Sequence, residues 1–454
     1  MKQIVAIIGI CLCAHLASAE INPAKEKWIN LFNGKDLTGW KQVNGKAKYE
    51  VVDGVIVGTA VKDTPNSFII TEKTYGDFIL EVTFKIDEGI NSGIQFRSLQ
   101  GSGEDGRVMG YQMEVENNKD RGWSGGIYDE ARRGWLYPVE LNPSAKSAYK
   151  WGDWNTYRIE CIGTSIRTWV NGVPISYLVD DLTSNGFIAL QVHSINKPEA
   201  EGKKTYWKNV RIQTEDLKPS PITEMAVVNL IPNTLIALEK QQGFRMLWDG
   251  QTTKGWRSAF GTAFPEKGWE VKDGALSVLS SNGAESTNGG DIVTEEKFSA
   301  FELLFDFKFT EGANSGVKYF VDEKYLSKGS AIGLEFQILD NEKHPDAKLG
   351  AAGNRTIGSL YDLIPPFKFN NLASKVGEWN RGKIIVFPDN RIEHWLNGVK
   401  VVEYKRGTPL YNALVARSKY AQYEGFGMAP SGSILLQDHG NLVSFRSIKI
   451  RELK

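Results

Sequence analysis

The chain has 454 residues, with 54 Lys plus Arg against 54 Asp plus Glu. A balance this even leaves no electrostatic footprint for nucleic acid or an anionic membrane surface. The length predicts more than one domain. Beyond the amino terminus, no apolar run is long enough to span a bilayer.

Lys2, the apolar stretch Ile4–Leu16 and Ala17-Ser18-Ala19 before Glu20 read as a secretory signal peptide over residues 1–19. The mature protein is then expected to be exported, periplasmic or extracellular. Cys11 and Cys13 lie inside this segment. Lipidation there is the alternative, but the run before Cys11 is short and lacks the usual small pair. Cys161, in YRIECIG, is the one remaining cysteine. No intrachain disulfide can form, and a core role is expected for it rather than a nucleophilic one.

The rest of the chain is a repeat. LFNGKDLTGW at Leu31–Trp40 returns as LWDGQTTKGW at Leu247–Trp256. Phe78–Arg97, FILEVTFKIDEGINSGIQFR, returns as Phe301–Phe320, FELLFDFKFTEGANSGVKYF. Spacing between the copies holds until Arg406–Ser431, where copy two carries an insertion. Segments such as ILEVTFKI, YRIECI, KIIVF and IEHWL alternate with period two, and Gly, Asn and Asp turns separate them. This pattern predicts an all-β fold of two tandem sandwiches or jelly rolls. Copy one is assigned to residues 20–215 and copy two to 244–454. Between them, residues 216–243 read as a linker opening on Lys218-Pro219-Ser220-Pro221, with a short helix over Leu235–Gln241. Asn171-Gly172 and Asn397-Gly398 predict tight hairpins. Asn91-Ser92-Gly93 and Asn314-Ser315-Gly316 read as turns between strands. Whether the copies are separate beads or share an interface stays open. The 13 Trp are expected mainly in the core, with a few at a carbohydrate-type surface.

Three constellations could carry chemistry. Gly110–Asn118, GYQMEVENN, places Gln112, Glu114 and Glu116 on one strand face, and Gly333–Asn341, GLEFQILDN, does so for Glu335 and Gln337. The face holds either a general base with a hydrogen-bonding neighbour or a solvated polar row. A Gln-x-His pair ends a predicted strand in each copy: Gln191 and His193, then Gln437 and His439. Histidine there suits a base or a ligand to a divalent metal, or simply a strand end bonded to backbone. Two strands are read in Gly432–Lys454, separated by a turn at His439-Gly440, with Asp438 on the face opposite Gln437. Tyr128-Asp129 and Tyr361-Asp362 each follow a glycine turn and could stack on and bond a sugar, or close a loop. Arg97 adds a donor in copy one only. No nucleotide-binding glycine loop, nucleophile elbow, H-E-x-x-H or paired C-x-x-C occurs.

Taken in order, LFNGKDLTGW, the NSG strands, the Glu/Gln strand, YDLIPP, HWLNG and LQDHG…VSFRSIKI resemble the 3-keto-disaccharide hydrolase family, once per copy. The resemblance implies a concanavalin A-like jelly roll and action on glycosides already oxidised at C3. It implies a base for the C2 proton, a stabiliser for the enolate oxygen and an acid for the leaving group. Glu335 or His439 would be the base, Gln437 and Gln337 orienting donors, and Tyr361, Asp362 and Asn314 near the sugar. The copy-one set is Glu114, His193, Gln191, Gln112, Tyr128 and Arg97. Copy two is favoured, because copy one has LQVHS in place of LQDHG and lacks the insertion. A bound divalent metal stays open. The alternatives are a conventional glycosidase, which needs two carboxyls across the bond, and a non-catalytic carbohydrate-binding protein.

Overall fold

The computed structural model describes residues 27–102, 106–321, 323–325, 331–367 and 375–454. The expected signal peptide, with Cys11 and Cys13, lies outside these residues. Among the described residues each copy is a two-sheet β-sandwich, with sheets of nine and seven strands in copy one and eight and five in copy two. No described helix is long and apolar enough to cross a membrane.

Period-two alternation builds both cores. In copy one Leu80, Val82 and Phe84 of the Phe78–Ile86 strand face Ile94, Phe96 and Met113 of the opposite sheet. In copy two Leu303, Phe305 and Phe307 face Val317, Tyr319 and Phe336. Cys161 is buried and unpaired in the copy-one core, where burial pushes its thiol up to about 12. Trp40, Trp207, Trp248, Trp256 and Trp269 are buried, while the other tryptophans are part-exposed. Most indoles are therefore only partly buried, contrary to expectation.

Both Asn-Gly hairpins form with positive φ at each residue, 49° and 81° at Asn171-Gly172 and 49° and 86° at Asn397-Gly398. Two local readings change. The NSG triplets are not turns; they open the strands Asn91–Gln100 and Asn314–Val321. The strands Ser433–Leu436 and Val443–Glu452 belong to opposite sheets, so His439-Gly440 carries the chain across the sandwich.

Residues 216–243 are not a free tether. Val228–Asn229 adds a parallel strand to the larger copy-one sheet. The helix is Ala237–Gln241. Its Glu239 accepts from Asn229 Nδ2 at 3.0 Å and pairs with Lys449 Nζ of copy two at 2.7 Å. Asn233 donates to Gly274 O at 2.8 Å and accepts from Ser447 N at 2.7 Å. The copies also meet directly: Arg381 Nη2 donates to Leu136 O at 2.8 Å. They share an interface.

Candidate active site

The outer face of the smaller copy-two sheet carries the site. Along Leu334–Leu339, Leu334, Phe336 and Ile338 point into the core, which turns Glu335 and Gln337 outward. On the neighbouring strand Lys318 is the register partner of Glu335, and Gly316 that of Gln337. Gly316 is needed here, because a Cβ would lie 2.3 Å from Glu335 Oε1. Asp291 flanks Lys318 on its other side, with Oδ2 at 3.8 Å from Nζ. Asp291, just before the strand Ile292–Thr294, Lys318 and Glu335 thus form an acid–lysine–acid row. With its oxygen toward Asn314, the Gln337 amide donates to Glu335 Oε1 at 3.0 Å and to Ser315 O at 3.2 Å. Glu335 is 4% exposed. Burial pushes its carboxyl above the usual range, and Lys318 and Lys419 oppose that rise. The solvated-face reading does not hold.

This row floors a cavity of about 400 Å³ lined by Asn314, Lys318, Glu335, Gln337, Gln437 and His439, with Tyr361, His344, Lys419 and Tyr420 on its walls. The volume is in the range of small-ligand sites. Gln437 Oε1 is buried without a protein hydrogen bond. His439 Nε2 lies 3.7 Å from Glu285 Oε2, and its ring meets that of His344 edge-on at 5.8 Å. Burial, then His439, lowers the His344 pKa. Tyr361 donates its hydroxyl to Asp346 Oδ2 at 2.8 Å. Burial pushes its phenol up, so it acts as a neutral wall. Asp438 stands behind the site, accepting from Gly290 N and Gly440 N at 2.9 Å each and donating from its amide to Asp291 Oδ1.

The insertion closes the cavity. After the helix Pro409–Ala416, Lys419 N donates to Asp362 Oδ2 at 2.9 Å. This sets Lys419 Nζ 4.3 Å above the Tyr361 ring. Burial lowers the Lys419 pKa against the pull of Glu335. Among the described residues no three His, Cys, Asp or Glu side chains form a metal-holding group.

Copy one keeps the scaffold and changes the charges. By the NSG alignment Gln95 replaces Lys318, Gln112 replaces Glu335, Glu114 replaces Gln337 and Phe68 replaces Asp291. Gln95 Nε2 donates to Gln112 Oε1 at 2.6 Å, and Gln112 Nε2 to Glu114 Oε2 at 3.0 Å. Burial raises the Glu114 carboxyl to about 8 and that of Glu116 to about 7. Glu114, Gln112, Tyr128 and His193 line a cleft of about 1280 Å³ between the copies.

Sequence reasoning therefore named residues that do converge: Glu335, Gln337, Asn314, Tyr361, Gln437 and His439. Three named residues are placed elsewhere. Arg97 is 1% exposed and spends its guanidinium on Gly76 O, Gly163 O and Asp77, so it reaches no cavity. Gln191 is fully buried and lines no cleft. Asp362 holds Arg355 and the Lys419 backbone instead of facing the cavity. Lys318, Asp291, Lys419, Tyr420, Glu285 and Asp346 were missed. The signal for Lys318 was present, as NSGVK against NSGIQ. None marked Asp291.

These features define a two-copy β-sandwich protein with a buried acid–lysine pocket on one sheet face. The model of the 3-keto-alpha-glucoside-1,2-lyase-like domain matches residues 27–213 and again 243–451, and the chain belongs to that family. It is 36% identical over 232 residues to a 3-keto-disaccharide hydrolase of Bacteroides thetaiotaomicron, covering 46% of this chain and 79% of that protein. A crystal structure of a proposed glycosyl hydrolase from Parabacteroides distasonis is 29% identical, covers 49% of this chain and 100% of its own, and has a TM-score of 0.43. A carbohydrate binding module from Bacillus subtilis is 17% identical, covers 38% and 95% of the two chains, and has a TM-score of 0.28.

Proposed function

We propose that this chain cleaves 3-keto-glycosides in the copy-two pocket. The observation that carries the reading is the buried Glu335 carboxylate set opposite the Lys318 ammonium on the cavity floor. The family relative named a 3-keto-disaccharide hydrolase supports the substrate class.

A ketone at C3 acidifies the C2 proton. Glu335 takes that proton, and the electron pair moves into the C2–C3 bond to give an enolate. Lys318, with Lys419 across the cavity, stabilises the enolate oxygen. The enolate re-forms the ketone as C1=C2 forms and the C1–O bond breaks. His439, backed by Glu285, supplies a proton to the leaving oxygen. Water then adds at C1, losing a proton to His439, and protonated Glu335, after exchanging with solvent water, delivers a proton to C2. The sum is hydrolysis with no oxidant or reductant. Gln337 holds Glu335 and Gln437 offers its free oxygen to a sugar hydroxyl.

A conventional glycosidase would need a second available carboxyl. Glu285 faces His439 at 3.7 Å, Asp346 is committed to Tyr361 and Arg355, and Asp291 lies behind Lys318. The experiment is incubation of the full chain in D2O with a 3-keto-disaccharide and with its unoxidised parent. The expected product is a 3-keto-monosaccharide with one deuterium at C2, above the rate of spontaneous exchange, and the parent stays intact. Equal cleavage of both sugars overturns the reading. The same proposal includes export, since residues 1–19 have signal-peptide character; sequencing the secreted amino terminus reads cleavage after Ala19.

A further inference from the structure

We infer that the cleft between the two copies is a second, non-catalytic site that binds a neutral oligosaccharide. Its volume, about 1280 Å³, exceeds the roughly 400 Å³ of the copy-two pocket, so it has room for a longer chain. The part-exposed rings of Trp123, Tyr128, Trp135 and, from copy two, Trp379 line it together. Trp135 meets Trp123 edge-on at 5.2 Å and Tyr128 at 5.5 Å. Clustered rings with a polar rim are the surface that sugar faces pack on. Gln112 and Glu114 also line it, bonded to each other at 3.0 Å with Gln112 held from behind by buried Gln95, and their amide and carboxyl suit sugar hydroxyls.

Two features separate this site from catalysis and from charged ligands. Where copy two has Asp291, Lys318 and Glu335, copy one has Phe68, Gln95 and Gln112. No cation therefore faces a base at that place, and the capping insertion is missing. Four arginines of the wall are already committed: Arg121 to Glu116, Arg132 to Asp129, Arg133 to Asp129 and Asp180, and Arg446 to Asp306. That leaves them engaged rather than open to a uronate. Binding here is independent of whichever reaction copy two performs.

The test uses the full chain carrying Glu335→Gln, which silences copy two. Cello-, malto- and laminari-oligosaccharides are titrated by calorimetry and tryptophan fluorescence, beside an oligogalacturonide. Saturable binding of a neutral oligomer is expected. Trp135→Ala weakens it about tenfold or more, Trp135→Phe keeps most of it, and Tyr361→Ala leaves it unchanged. If Trp135→Ala melts early, Trp123→Ala gives the same readout. The inference is overturned by no saturable binding up to about 10 mM, by stronger binding of the oligogalacturonide, or by loss through Tyr361→Ala but not through the tryptophans. Turnover on 3-keto-disaccharides, compared between the wild-type chain and Glu335→Gln, reports on copy two.

Discussion

Glu335 and Lys318 form a buried, register-locked pair, and each is expected to fail differently when altered. Glu335→Gln keeps the shape and the bond to Gln337 but cannot accept the C2 proton. Turnover should fall by roughly 10²–10⁴-fold with modest change in KM. Lys318→Met removes the stabiliser of the enolate, and kcat should drop by about 10²–10³-fold. A steady-state comparison of kcat and KM checks both; near wild-type kcat in either variant contradicts its assigned role. The raised Glu335 carboxyl also predicts a pH profile. The base form is lost as pH falls, so the acidic limb of kcat should lie above the ordinary carboxylate range of about 4.3. At this scale the sequence revealed residue types but not partners. Glu335 was legible from alternation, whereas its opposition to Lys318 depends on strand register, which no single strand encodes.

The insertion and the connector show what elements contribute beyond strands. Arg406–Ser431 was visible as a break in the repeat spacing, yet its use was not. Its short helix and following turn bring Lys419 and Tyr420 over the pocket, fastened by Asp362. Asp362→Asn weakens that fastening by replacing a carboxylate acceptor. It should raise KM with kcat less affected, and a KM-against-kcat comparison reads this. In the connector, Glu239 and Lys449 are each 3% exposed and paired. Removing one partner strands the other charge, so Glu239→Ala should cost about 3–5 kcal/mol. Chemical denaturation checks it, and Glu239→Leu with Lys449→Met should recover part of the loss. The segment read as a linker because of its prolines; its buried contacts come from residues distant in sequence.

For the whole molecule, the two copies divide one scaffold into an acid–lysine pocket and an amide-lined cleft. Buried carboxyls of copy one make its stability depend on pH. Glu114 and Glu116 of folded copy one titrate near 8 and 7, well above the unfolded value of about 4.3. Folded copy one therefore holds protons that the unfolded chain releases. The stability these two groups contribute is full below about pH 4 and is lost as pH rises through 8. Glu114→Gln should flatten that decline, raising the melting temperature at pH 9 relative to wild type more than at pH 5; scanning calorimetry at the two pH values decides. Period two, Asn-Gly turns and the internal repeat were sufficient to determine two all-β sandwiches, because backbone geometry ties alternation to face. The same alternation placed Glu335 with Gln337, and Gln437 near His439. Only the tertiary structure decided that Ser433–Leu436 and Val443–Glu452 part into opposite sheets, that Arg97 is sealed by backbone carbonyls, and that Asp291, Lys318 and Lys419 converge on one carboxylate. Those outcomes arise from register, sheet crossing and loop docking, which bring together residues that lie far apart in the chain.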